Sequence, residues 1–133
     1  MPNGKAPHLD MMRSPLGRAR GLGSARAGSG HWWAQRLTAL ALIPLSLWFI
    51  CAAIRLEGAS RADVARWLHG PLPIVLMISL VIATFYHLQL GLQVVIEDYI
   101  TTDWLRLSTS LLFKAACFIL ALGCIVSVLH LGL

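Results

Sequence analysis

His87, Gly91, Gln93, Asp98 and Tyr99 fall within HLQLGLQVVIEDY, which sets an imidazole inside an apolar run and an acid and a phenol at its polar edge. Neutral imidazole is a common ligand for metals and haem iron, and an ionisable group held in an apolar medium is costly without a partner. A phenol beside a carboxylate at a water boundary can hydrogen-bond a quinone carbonyl and relay protons from the aqueous side. Each feature also has a plainer reading. His87 can be a histidine hydrogen-bonded to a neighbouring helix, and Asp98-Tyr99 an ordinary interfacial tyrosine with a solvated acid.

The elements that must hold these residues are membrane helices. The 133 residues are 57% apolar and 13% charged with a mean hydropathy of +0.70, which excludes an ordinary soluble domain and leaves a single membrane domain embedded in a lipid bilayer. A pI near 9.7 and a net charge of +5 suggest nucleic acid, but the basic residues crowd into the first 36 positions, outside the apolar blocks. They read as topology signals, with no nucleic-acid partner. Cys51, Cys117 and Cys124 sit in apolar runs without CxxC spacing, so neither a zinc site nor a disulfide framework is indicated.

Residues 1–30 combine six glycines with five of the eleven Lys and Arg residues and no periodic apolar face, predicting a flexible basic arm. The arm superficially resembles an organelle transit peptide, while the lack of an apolar h-region before His31 argues against a secretory signal. Residues 31–133 form the anchor domain. A first helix is expected over about 33–55, since Leu37 to Ile54 carries no charge, is flanked by Arg36 and Arg55, and is entered through Trp32 and Trp33. Pro44 inside it is tolerable in a membrane. A short interfacial helix or turn follows in 55–70. A second span covers about 71–97 and a third about 105–129, interrupted by Lys114, whose long stem can snorkel to the interface.

Lys and Arg number six through Arg36 and one in the loop at 97–106, seven against three in the loop at 55–70. The N-terminus is therefore expected on the cytoplasmic or matrix side. His31, Arg36, Asp98, Tyr99 and Asp103 then share the inner interface. His87 lies ten residues before Glu97, roughly 15 Å from that interface and near the bilayer midplane. Gly91 stands four residues on, on the same face, where bare backbone admits a flat macrocycle or another helix. No other histidine shares this depth, so a six-coordinate haem at His87 would take its second axial ligand from another chain.

The pattern H-x3-G-x-Q-x4-D-Y at the end of the second of three spans, with HWWAQRLTALAL at the mouth of the first, resembles the small hydrophobic membrane anchor of succinate dehydrogenase, the respiratory Complex II. The likeness covers about residues 29–130. It implies an all-α membrane protein in which His87 is an axial ligand to haem b iron, Tyr99 hydrogen-bonds ubiquinone with Asp98 beside it, and Arg36 and His31 contact the haem propionates. It also implies three partners: a second membrane anchor supplying the other haem ligand, an iron-sulfur subunit, and a flavoprotein where succinate is oxidised. This chain would not bind succinate itself.

The rivals are the anchor of a fumarate reductase, another b-type cytochrome, and a non-redox membrane scaffold in which His87 only joins helices. A di-haem cytochrome would need more intramembrane histidines at matched depths than this sequence offers. The arm has no clear cleavable boundary, so the bacterial plasma membrane is expected ahead of the mitochondrial inner membrane.

Overall fold

The computed structural model describes residues 15–20 and 28–133, and within them the chain is all helical: α1 (Pro15–Ala19), α2 (Gly28–Arg55), α3 (Arg61–Leu68), α4 (Pro71–Tyr99) and α5 (Asp103–Gly132). Three of these, α2, α4 and α5, are long and apolar enough to cross a membrane, as the sequence predicts. At 28, 29 and 30 residues they are each about 42–45 Å long, more than the hydrocarbon core requires. They overrun their expected ends because charge marks the edge of the bilayer rather than the end of a helix. Thus α4 continues through Glu97 and Asp98 to Tyr99, and α5 already starts at Asp103. An acid in that first turn suits the positive end of the helix dipole, and Asp103 also accepts from Arg106 at 2.6 Å.

The chain divides into two compact units, Met1–Trp33 and Ala34–Leu133. In the first, Pro15–Ala19 forms one helical turn, and Trp32 packs edge-on against Trp33 with centroids 5.1 Å apart. The remainder of the expected basic arm before Gly28 lies outside the described residues.

The second unit is built on an antiparallel hairpin of α4 and α5, joined through residues 100–102, with α3 resting against both. Pro71 begins α4 at a position where its missing N–H costs nothing, and Gly70 precedes it as the cap. Gly58 turns the chain after α2 with φ of 75°, the left-handed region glycine enters without strain. The segment at 55–70 resolves into the helix α3, because Ser60 and Asp63 form a capping box. The Ser60 hydroxyl accepts from the Asp63 amide at 3.3 Å, and the Ser60 amide donates to the Asp63 carboxylate at 3.2 Å. The Ser60 hydroxyl also donates to that carboxylate at 2.7 Å, and Arg66 pairs with it one turn on. Trp67 of α3 stacks on Trp48 of α2 with centroids 5.9 Å apart.

Among the described residues the buried apolar side chains are Ala52, Leu68, Leu90, Ile96 and Cys117. Most large apolar side chains, such as Leu40, Leu111 and Phe118, point outward. That is the inverse of a water-soluble fold, and it suits an exterior of lipid tails and neighbouring helices.

Candidate functional site at the crossing of α2 and α4

His87 sits mid-way along α4, and its Nδ1 lies 2.9 Å from the hydroxyl of Thr38 on α2. The same hydroxyl is 2.8 Å from the carbonyl of Ala34 and 3.0 Å from that of Gln35, the back-bonding a threonine makes inside a helix. One turn toward the end of α4, Gln35 covers Gly91: a Cβ built on Gly91 would meet Gln35 Nε2 at 3.4 Å. The bare backbone at Gly91 thus faces the end of the Gln35 side chain. The other end of that amide is unsatisfied, since Gln35 Oε1 is buried with no hydrogen-bond partner.

These two contacts fix the register of α2 against α4. Gln35 precedes Thr38 by three residues while Gly91 follows His87 by four, so the helices run antiparallel and Arg36 comes level with about Gln89 or Leu90. Arg36 therefore lies about 4 Å inward of His87 and about 14 Å short of Tyr99 along α4. Arg36 and the Asp98-Tyr99 pair, expected to share the inner interface, are thus set apart along α4. Because α2 starts at Gly28, its first charge is two turns inside the helix rather than at its mouth.

Asp98 and Tyr99 close α4, twelve residues or about 18 Å beyond His87 for the tyrosine. Both are exposed, Tyr99 at 82% of its surface, and among the described residues neither side chain takes part in a hydrogen bond. Asp98 returns to nearly the His87 face of the helix and Tyr99 stands about a third of a turn away. Beside them, Glu97 accepts from Gln93 at 2.8 Å and lines a recess of about 330 Å³ with Asp103, Arg106, Leu107 and Ser110. His31 belongs to the first unit.

Thr38, Gln35 and Glu97 are not among the site residues that the sequence singles out. Thr38 carries one visible signal, a hydroxyl two positions after Arg36 at the head of an apolar run, but its partner on α4 depends on register. Among the described residues no three His, Cys, Asp or Glu side chains converge, so His87 stands as a single donor. Lys114 is half-buried eleven residues into α5, about 16 Å from the start of the helix.

Known proteins resemble this chain in sequence. The profile of the family described as succinate dehydrogenase/fumarate reductase transmembrane subunit matches residues 10–129. The chain is 35% identical over 121 residues to a succinate dehydrogenase hydrophobic membrane anchor subunit of Rickettsia bellii, covering 90% of this chain and 96% of the relative. The protein of the same description in Paracoccus denitrificans is 33% identical over 86 residues, 65% of this chain and 67% of the relative. A succinate dehydrogenase membrane anchor subunit of Reclinomonas americana is 31% identical over 93 residues, 67% and 77% of the two chains. No solved structure matches the chain significantly.

Proposed function

The chain belongs to the succinate dehydrogenase/fumarate reductase transmembrane subunit family, and from that premise we propose that it anchors a succinate:ubiquinone oxidoreductase in the membrane, gives one axial ligand to haem b, and forms part of the ubiquinone reduction site. The observation that carries the reading is the state of His87: Thr38 occupies its Nδ1, while among the described residues no hydrogen bond ends on Nε2 and that atom is not sealed in the interior. A mid-helix imidazole with one nitrogen oriented and the other open is what a haem ligand requires. The residues around it fit the group. The guanidinium of Arg36, about 4 Å inward along α4, suits a propionate carboxylate at the edge of the macrocycle. His31 is assigned to the same propionates on the family resemblance alone.

When bound, haem b supplies a one-electron store close to the quinone-reducing end of the chain. Everything else assigned to this chain is done by side chains. Tyr99 Oη donates a hydrogen bond to a ubiquinone carbonyl at the inner membrane edge, and the Asp98 carboxylate beside it relays protons from the aqueous side. Ubiquinone becomes ubiquinol by taking two electrons, delivered from succinate through the flavin and iron-sulfur clusters of partner subunits, and two protons from the inner aqueous side. The exposure of Asp98 and Tyr99 leaves them open to those partners, the second anchor and the iron-sulfur subunit, which complete the pocket. The membrane is the bacterial plasma membrane, with the mitochondrial inner membrane as the alternative.

Purification through a tag on this chain tests the reading. A flavoprotein, an iron-sulfur protein and a second anchor should copurify, with a b-type band in the reduced-minus-oxidised spectrum. A purified complex with those partners and no such band removes the haem assignment, and the absence of the partners removes the whole.

A further inference from the structure

We propose that Thr38 is a positioning residue that fixes the tautomer of His87, so that Nδ1 carries the proton and Nε2 presents its lone pair outward. The inference rests on His87 being the haem ligand and goes beyond that reading by assigning what makes it one. A threonine hydroxyl has one proton and three heavy atoms within hydrogen-bond reach here: the Ala34 carbonyl at 2.8 Å, the Gln35 carbonyl at 3.0 Å and His87 Nδ1 at 2.9 Å. The two carbonyl oxygens can only accept, so the hydroxyl proton must lie toward them or leave two lone pairs facing the hydroxyl oxygen's own at close range. With that proton committed, Thr38 can only accept from the ring, and Nδ1 must be the N–H. The neutral imidazole then holds its remaining lone pair on Nε2.

The opposite tautomer would put a hydrogen on Nε2, where a metal has to bind. Thr38 therefore selects the ligand form before any group is present, and the back-bond keeps the hydroxyl oxygen in one place by holding the χ1 angle of a residue otherwise split between two rotamers. A hydroxyl that donates to a carbonyl is a better acceptor, because hydrogen bonds in a chain polarise one another. The Nδ1–H bond in turn makes Nε2 a stronger donor, which favours the oxidised metal and lowers its potential.

The experiment uses the intact complex carrying Thr38→Val, which keeps the shape and removes the acceptor, beside Thr38→Ser, which restores it. Haem content per flavin, the midpoint potential and the low-temperature electron paramagnetic resonance spectrum are read on each. In Thr38→Val the potential should rise and the resonance should broaden or split as ring orientation is lost, or haem content should fall roughly tenfold. Thr38→Ser should return most of each change. If Thr38→Val does not assemble, Thr38→Ala provides the same comparison. A haem-bearing wild type with an unchanged potential and spectrum in Thr38→Val overturns the proposal while leaving His87 as the ligand. Equal defects in Thr38→Val and Thr38→Ser overturn it too, since the hydroxyl would then be irrelevant. A wild-type complex without haem overturns the ligand reading, and the proposal with it.

Discussion

Gln35 of α2 lies over Gly91 of α4, its Nε2 at 3.4 Å from the point a Cβ would occupy. That distance is ordinary contact for a methyl group and a clash for anything that branches further. Gly91→Ala should therefore be tolerated, within about 0.5 kcal/mol of wild type, whereas Gly91→Leu should push α2 away and cost roughly 1–3 kcal/mol. Thermal unfolding of the purified complex measures both. Because Thr38 rides on the same helix, Gly91→Leu should also disturb the haem spectrum. Equal melting of the two variants would mean that α2 does not rest on this glycine.

The two ends of HLQLGLQVVIEDY should separate under substitution. His87→Ala should abolish or shift the b-type band while quinone reduction persists in part, since the phenol sits about 18 Å away along α4. Tyr99→Phe should keep the haem and lower quinone reductase activity about tenfold, the effect of one lost hydrogen bond of about 1.4 kcal/mol. The spectrum and the turnover rate are measured on the same preparations. Haem loss in Tyr99→Phe with normal turnover would exchange the two assignments.

Much of the fold was legible because lipid makes hydropathy a strong signal: long uncharged runs bounded by arginines and acids can only be spans. Helix ends were less legible, since hydrogen bonding carries α4 past Glu97 and α5 back to Asp103 without regard to where lipid stops. The spacing of about 18 Å between His87 and Tyr99 is legible by counting along one helix. The level of Arg36 against α4 is not, because it depends on how α2 meets α4, and no periodicity within α2 encodes that. Thr38 and Gln35 were invisible for the same cause: each matters through a residue about fifty positions away.

The N-terminus of α3 should respond to acid. The hydrogen bonds from the Ser60 hydroxyl, then from the Ser60 amide, and the pairing with Arg66 hold the Asp63 carboxyl below its ordinary value of 3.8. A carboxylate whose folded value is depressed contributes stability that is fully present above the unfolded value and lost as pH falls through the folded one. The capping box should thus hold at neutral pH and fail only below about pH 4. Hydrogen exchange at the amides of Asp63 and Val64 reports it. Ser60→Ala should speed that exchange roughly fivefold at neutral pH and weaken the acid step without removing it, since the amide of residue 60 and Arg66 still hold the carboxylate. An acid step that survives Asp63→Asn would have to come from another group.

Lys114 poses the sharpest question about charge in the spans. It lies about 16 Å into α5, three residues before the buried Cys117 and a turn beyond Ser110, which lines the recess with Glu97 and Asp103. A lysine at the centre of a membrane helix costs about 2.5–3.5 kcal/mol on insertion scales, and leucine there is favourable by about 0.5 kcal/mol. If Lys114 only extends its stem toward the inner headgroups, Lys114→Leu should improve insertion of α5 and leave haem content and turnover near wild type. Glycosylation mapping of α5 reads the first, and the purified complex reads the second. Both are measured because insertion and turnover report different roles for the ammonium. A variant that inserts better yet loses haem or activity would show a cation held for a partner group rather than for the membrane surface.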